Sequence, residues 1–497
     1  MIPRVAIVGG GISGLAAAYW LVARSEESRL PVEVVVLEAA PRIGGAITTE
    51  ERDGFILEGG PDSFLTEKPW ALELARRLGL EHRLIGTNEA YRRTYVARGN
   101  QLYPLPEGFL LLAPTRLWPF ATSPLFSWRG KFRMAAEIFL PRRIPRDDES
   151  LASFVERRFG REALARVAQP LVGGIYLANA QKLSLRSTMP RFLTMEEQHR
   201  SIILAMRAQA RAARAAGSGA RWSLFASFDR GLQLLVDALA ARLGTGRVRC
   251  STEVVRLEKA KAHWQLVTKA GEVLLADAVV LALPAFRSAK LLLLASPSLA
   301  KELEQIPTLP SMTVNLAYQA AAMHRQLAGF GVVIPRTEGM LTWATTLSHL
   351  KYPGRAPEGM LLIRAFLGGE DEAELLHWDD ERLVLTVRRE VEPLLGIDRA
   401  PVLVRVHRHP ETMPLYQVGH LQRVQRIEEL ARTEPTLALA GNSYYGVGIP
   451  DCIRVGEQAA EKIWRALSNS PWRSPARSET GDRPTASPTP VDSYHRR

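Results

Sequence analysis

Val5-Ala6-Ile7-Val8-Gly9-Gly10-Gly11-Ile12-Ser13-Gly14, then the alanine-rich residues 15–24, then Val32-Glu33-Val34-Val35-Val36-Leu37-Glu38, is the stretch that decides the fold. An apolar strand runs straight into glycines at 9, 11 and 14, a helix follows, and a second buried strand ends on an acid. That is a βαβ unit built for a dinucleotide. Gly9 permits the turn out of the strand, Gly11 admits a pyrophosphate to the backbone, and Gly14 lets helix and strand approach. Ser13 lies in the first helical turn, where unpaired N–H groups and the positive dipole end face the phosphates. Glu38 can take both hydroxyls of a ribose and disfavours a 2′-phosphate.

Working outward, Ala40-Pro41-Arg42-Ile43-Gly44-Gly45-Ala46 brings a second glycine pair directly after the acid. That spacing is typical of FAD proteins, whose second loop also reaches the cofactor. Gly54-Phe55-Ile56-Leu57-Glu58-Gly59-Gly60-Pro61-Asp62-Ser63 reads as a strand ending in a loop that passes close to a flat ring system.

Composition bounds the rest. A chain of 497 residues with 46% apolar and 23% charged residues is an ordinary globular protein that can bury a sizeable core. Cys250 and Cys452 are the only cysteines, so neither a disulfide framework nor a cysteine-built metal site is available. With His407 and His409 on one strand face and no metal-ligand spacing elsewhere, no metal is expected. The two cysteines fit a reduced, cytoplasmic protein, and no signal peptide is expected ahead of the first strand. The net charge of +12 comes from 54 arginines against 10 lysines. It suits carboxylates, phosphates or anionic lipid. No motif for nucleic acid accompanies it, so nucleic acid is not expected as a partner.

The expected architecture is α/β. A FAD-binding Rossmann-type domain (1–65, 230–285 and 425–467) is interleaved with a largely helical domain (66–229) and a mixed-sheet substrate domain (286–424). Residues 193–216 read as one long helix, and 247–284 as a β meander. Between residues 104 and 143, Leu105, Phe109, Leu110, Trp118, Phe120, Leu125, Phe126 and Trp128 alternate with Arg116, Arg129, Lys131 and Arg133. Two readings are open there: a peripheral membrane face with arginines on lipid phosphates, or a helical cap with a solvated basic side. Ile449-Pro450-Asp451-Cys452 opens a last helix that runs to about Leu467, and 468–497 has the composition of a disordered tail.

Several further stretches carry a family resemblance along nearly the whole chain. Pro170-Leu171-Val172-Gly173-Gly174-Ile175-Tyr176 with Leu183-Ser184, Phe228-Asp229-Arg230-Gly231-Leu232-Gln233, Met413-Pro414-Leu415-Tyr416-Gln417-Val418-Gly419-His420 and Tyr445-Gly446-Val447-Gly448-Ile449-Pro450-Asp451-Cys452-Ile453 are the specific ones. With them, the sequence resembles the flavin-dependent protoporphyrinogen oxidases in their bacterial branch. Amine oxidases and carotenoid desaturases share only the N-terminal motifs, and Ala46 stands where amine oxidases carry arginine. Those two classes are the alternative reading, and a non-catalytic porphyrin or FAD carrier is a third.

The resemblance implies oxidation of protoporphyrinogen IX or coproporphyrinogen III to the porphyrin in haem biosynthesis. Three two-electron steps pass through non-covalent FAD to O₂, giving peroxide. It implies FAD contacts at Gly9, Gly11, Ser13, Gly14, Glu38, Arg42, Gly44, Gly45, Gly60, Pro61, Val254, Val447, Gly448 and Ile449. Substrate contacts fall on Gly174, Phe330, Val333 and Phe366, with a propionate cation at Arg92 or Arg93. Asp62 is the expected proton acceptor near the flavin edge. Removing 468–497 should leave flavin content and turnover unchanged, because that composition buries too little apolar area to offset its ordering entropy. Loss of folding in the truncated chain would show that the tail docks on the core.

Overall fold

The computed structural model of the protein describes residues 2–110, 113–143, 147–215, 223–260 and 263–469. The expected tail therefore lies outside the described residues, except that Ser468 ends the last helix, Ile449–Ser468.

The first strand, Arg4–Val8, sits at the centre of a five-stranded parallel sheet, between Glu33–Leu37 and Ala278–Leu281. Val248–Arg249 and Leu437–Leu439 complete the edges. Such a sheet is covered on both faces, which is why its strands are apolar runs without alternation. The expected meander is narrower than 247–284. Only Val254–Ala260, His263–Thr268 and Val273–Ala276 pair antiparallel with one another, while the outer two segments join the parallel sheet.

A second, seven-stranded mixed sheet has the order Leu403–Pro414, Thr308–Gln319, Met360–Gly368, Ala344–Leu347, Gly331–Val333, Thr94–Arg98 and Gln101–Pro104. The last two strands correct the domain boundary drawn from the sequence. The 94–104 hairpin lies within the stretch read as helical, yet Thr94 and Val96 pair in parallel with Gly331 and Val333. One face of this sheet packs Val314, Leu316, Ile363 and Ala365 against Leu383, Val387 and Val391 of the helix Asp380–Leu395. The other face is apolar only at its two ends.

The helical region also departs from expectation. The single helix read over 193–216 breaks into Pro190–His199 and Ile202–Ala215, with Arg200 at φ 61° between them. The cause is Glu137, which is fully buried. Its carboxylate accepts the Ser201 hydroxyl and the N–H groups of Ile202 and Ile203, capping a helix from outside its own chain segment. Arg158, also fully buried, pairs with Glu137 and donates to the Arg200 carbonyl. Removing one member of such a pair strands a buried charge. Glu137→Ala should therefore cost about 3–5 kcal/mol, read as a lowered denaturation midpoint. Glu137→Met with Arg158→Met together should cost less than Glu137→Ala alone.

Candidate active site

The two glycine loops meet. Gly44 donates its N–H to the Gly10 carbonyl at 2.8 Å, and Gly11 and Gly44 form a parallel bridge. Arg42 donates to the carbonyls of Ile43, Gly45 and Ile47 and so holds the second loop. Glu38 accepts the N–H groups of Gly10 at 2.6 Å and Ala40 at 2.8 Å, which ties the second strand to the first loop. Val254 is buried just beyond Thr252, whose N–H bonds the Glu38 carbonyl.

A Cβ at Gly14 would overlap the Gly9 carbonyl oxygen, whereas a Cβ at Gly11 would meet nothing within 4 Å. The first glycine is needed for closeness, the second for space. The helix Ile12–Ser28 has no side-chain cap, and neither has the C-terminal helix that starts after Gly448. The two helices pack directly, and a Cβ on Gly456 would overlap the Ser13 carbonyl. Two helix N-termini with unsatisfied N–H groups, one beside an open glycine and the other following the 446–448 loop, fit a dinucleotide flavin. Burial pushes the Cys452 thiol up to about 12, so it remains a thiol at neutral pH.

The sequence motifs converge on this region. Tyr416 donates its hydroxyl to the Asn442 carbonyl and accepts the Gly446 N–H at 2.8 Å. Its own carbonyl takes the Ser184 N–H. Tyr176 lies near enough to Asp451 to feel its charge, and burial foremost pushes its phenol up to about 12. The 228–233 segment wraps around Glu58, which accepts from the Leu232 N–H at 3.0 Å and the Thr49 hydroxyl at 2.6 Å. Burial raises the Glu58 carboxyl, opposed by Arg355 at 3.7 Å.

The 59–62 loop faces the middle of the seven-stranded sheet. Thr313 and His409 bond the Gly59 carbonyl at 2.8 Å and 3.0 Å. Lys351 donates to both Asp62 oxygens at 2.8 Å. Burial alone would raise the Asp62 carboxyl. Lys351 and then Arg364 outweigh burial and hold it well below the usual carboxylate range. A carboxylate so strongly stabilised as an anion is a weak base, which weighs against the proton-accepting role expected of Asp62. It serves as the counter-ion of Lys351.

Residues paired directly across strands share a face. Phe366 pairs with Ala344, and Ala344 with Val333; a Cβ on Gly174 would sit 3.3 Å from the Ala344 side chain. Three of the expected substrate residues, Gly174, Val333 and Phe366, thus form one apolar wall between the sheet and the helix Gln169–Tyr176. Phe330 lies outside that wall, with Lys351 5.9 Å from its ring. Arg92 and Arg93 are both exposed, and Arg92 pairs with Glu89. The Tyr91 carbonyl accepts the Phe330 N–H, and the Arg93 carbonyl accepts the Gly331 N–H. Both side chains lie at the surface, on a segment whose Asn88 N–H bonds the Lys351 carbonyl at 2.9 Å.

Sequence reading missed Lys351, Arg355 and Arg364. The signal was present in Leu361-Leu362-Ile363-Arg364-Ala365-Phe366-Leu367, a charged residue inside an apolar strand.

A Rossmann-type dinucleotide domain coupled to a mixed sheet with a buried polar centre defines a flavoprotein oxidoreductase. The chain belongs to the flavin-containing amine oxidoreductase family, whose model matches residues 12–464. It is 36% identical over 462 residues to the coproporphyrinogen III oxidase of Bacillus subtilis, covering 92% of this chain and 97% of the relative. It is 30% identical to the chloroplastic protoporphyrinogen oxidase of Nicotiana tabacum, covering 93% of this chain and 85% of the relative. Among solved structures, an Exiguobacterium protein provisionally named a protoporphyrinogen oxidase superposes with a TM-score of 0.82 at 31% identity, over 93% of this chain and 99% of that one.

His420, at the end of the 413–420 motif, bonds the Tyr444 carbonyl at 3.0 Å and stacks on Tyr416 with ring centres 4.1 Å apart. Burial pushes its imidazole down to about 4. Between that value and the unfolded value of about 6.5 the unfolded chain binds a proton that the folded chain refuses. Stability is therefore lost as pH falls through this window, by about 3 kcal/mol. Denaturation of His420→Gln across pH 4 to 7 should lack this component, so the wild-type advantage shrinks on acidification. A gap that does not change with pH would contradict the assignment.

Proposed function

We propose that this chain oxidises a porphyrinogen to the porphyrin, with coproporphyrinogen III as its substrate, non-covalent FAD as its cofactor and O₂ as final acceptor. The carrying observation is the Gly174–Val333–Phe366 wall, which abuts the polar centre facing the 59–62 loop. Apolar groups suited to the rings of a macrocycle thereby adjoin a cation suited to its carboxylates, since the Arg364 guanidinium lies against the Phe366 ring. The coproporphyrinogen reading is further supported by the relative of that name being more similar than the protoporphyrinogen oxidase. The amine oxidase alternative is disfavoured because Ala46 stands where amine oxidases carry arginine and the wall is apolar.

When bound, FAD supplies repeated two-electron acceptance and delivery of the electrons to O₂. The chain's residues do the rest. The two uncapped helix N-termini and the Gly9–Gly14 and Gly44–Gly45 loops hold the pyrophosphate, and Glu38 holds the ribose. Gly60 and Pro61 bring backbone up to the ring, and a Cβ at Gly60 would overlap the Ala46 carbonyl. The apolar wall orients the substrate and excludes water. Cys452, buried as a thiol, supports a cofactor without a covalent link.

A peripheral lipid contact belongs to the same proposal. Trp118, Trp128, Phe132 and Phe139 are 68–79% exposed, while Phe109, Phe120, Leu125 and Phe126 are buried. The helices Leu117–Thr122 and Trp128–Ala135 that carry the first three are linked by Lys131 donating to the Ala121 carbonyl. Among the described residues no helix is long and apolar enough to cross a membrane. Aromatic tips beside Arg116, Arg129 and Arg133 suit an anionic lipid surface, and Trp118→Ser with Trp128→Ser should reduce co-sedimentation with anionic vesicles.

The purified protein should be yellow, and acid precipitation should release all of its FAD. Anaerobic coproporphyrinogen III should bleach it, and readmitted air should restore the colour with peroxide formed. Gly60→Ala should lose flavin at unchanged far-ultraviolet circular dichroism. A protein whose flavin no porphyrinogen reduces would overturn the proposal.

A further inference from the structure

The centre of the seven-stranded sheet holds more positive charge than its own carboxylates neutralise. Arg364 is 3% exposed and lies between Asn315 and Thr346 on neighbouring strands, on the face that meets the 59–62 loop. The charged groups around it come in pairs. Lys351 holds Asp62 at 2.8 Å, Arg355 stands 3.7 Å from Glu58, and Arg405 bonds Glu50 at 3.0 Å. Arg364 is the cation left over. Its nearest carboxylate oxygen, on Asp62, is 3.7 Å away, and that carboxylate is already bonded twice by Lys351. His407 and His409 do not compensate, since burial keeps both imidazoles towards the neutral form.

Its hydrogen-bonding capacity is unspent as well. Among the described residues, the Nε and Nη1 of Arg364 are buried without a hydrogen-bond partner, Nη1 having only the long ion pair to Asp62. A buried guanidinium in that state is costly unless an anion completes it. The group is also held in place. It stacks on Phe366 with its carbon 4.5 Å from the ring centre, which aims a rigid planar fork along the edge of the apolar wall. A flat ring beside Phe366 would bring a substituent carboxylate to that guanidinium.

We propose that Arg364 is the residue that receives a substrate carboxylate, binding it through its unspent N–H groups beside Phe366. The inference rests on the porphyrinogen reading above and deepens it. It gives a tetracarboxylate such as coproporphyrinogen III a partner that a vinyl group at the same place could not use. Arg364 is thus a specificity residue for acidic substituents, with Phe366 and Asp62 as its positioning residues.

The test uses flavin-loaded wild type, Arg364→Gln and Arg364→Lys. Binding of coproporphyrin III and of its tetramethyl ester is followed by fluorescence quenching, because the two share the macrocycle and the ester lacks the charged carboxylates. Wild type should prefer the acid. Arg364→Gln should weaken the acid about ten- to a hundredfold and leave the ester unchanged, while Arg364→Lys recovers part of the loss because a point charge lacks the fork. Turnover of coproporphyrinogen III should lose the same factor, mainly in KM, at unchanged flavin content.

Equal acid affinity in wild type and both variants would overturn the inference. So would a shifted flavin reduction potential at unchanged KM, which would assign Arg364 to the flavin ring. If Arg364→Gln does not fold, Arg364→Lys decides by the same comparison of acid and ester. Failure of the wider reading looks different: wild type itself would then neither bind the porphyrin nor be reduced by the porphyrinogen.

Discussion

Two carboxylates of the dinucleotide domain, Glu58 and Asp62, are buried against a sheet from the other half of the molecule, and burial of charge demands compensation. The sheet side supplies it. Lys351 and Arg355 both come from the turn that joins Ala344–Leu347 to Met360–Gly368. Arg355 also donates to the Ser227 hydroxyl and the Phe228 carbonyl, so the 228–233 segment is fastened to the same cation. Had either domain closed without the other, these groups would be left as unpaired ions in an apolar setting. The relative placement of glycine loops and apolar wall follows from that constraint.

The constraint explains why the polar middle of the sheet lies between two apolar ends. At one end Phe55 and Leu57 pack on Ala317 and Leu362. At the other, Val333 and Ala344 join the helical core with Phe366 against it. Between them run Asn315, Arg364, Thr313 and His407, which cannot be covered by hydrocarbon. The same economy accounts for the motif at 413–420. Tyr416 and His420 bond the 442–446 backbone from below and so hold the loop that leads into the C-terminal helix.

Much of this was legible in the chain because it depends on local geometry. Strand, glycine turn, helix and second strand follow one another within 38 residues, and each step is dictated by neighbours in sequence. The broken helix at Arg200 was not legible, because its cause is Glu137, more than sixty residues earlier. Nor was the 94–104 hairpin, whose partner strand begins at Gly331. A local pattern cannot announce a partner of that separation.

The site divides along the same line. Sequence alone determined the dinucleotide loops, the acid at 38 and the identity of the segments that gather beside them, since these are properties of short strings and their spacing. Tertiary structure alone decided which charges meet. Asp62 carries the same carboxylate in any context. Only contact with Lys351 and Arg364, some 290 residues and more along the chain, turns it from a base into a fixed anion. Arg364 is one arginine among 54 until the strand register seats it beside Asn315 and Thr346 with its donors unspent. Electrostatic energy depends on distance and dielectric, and neither is written along the chain.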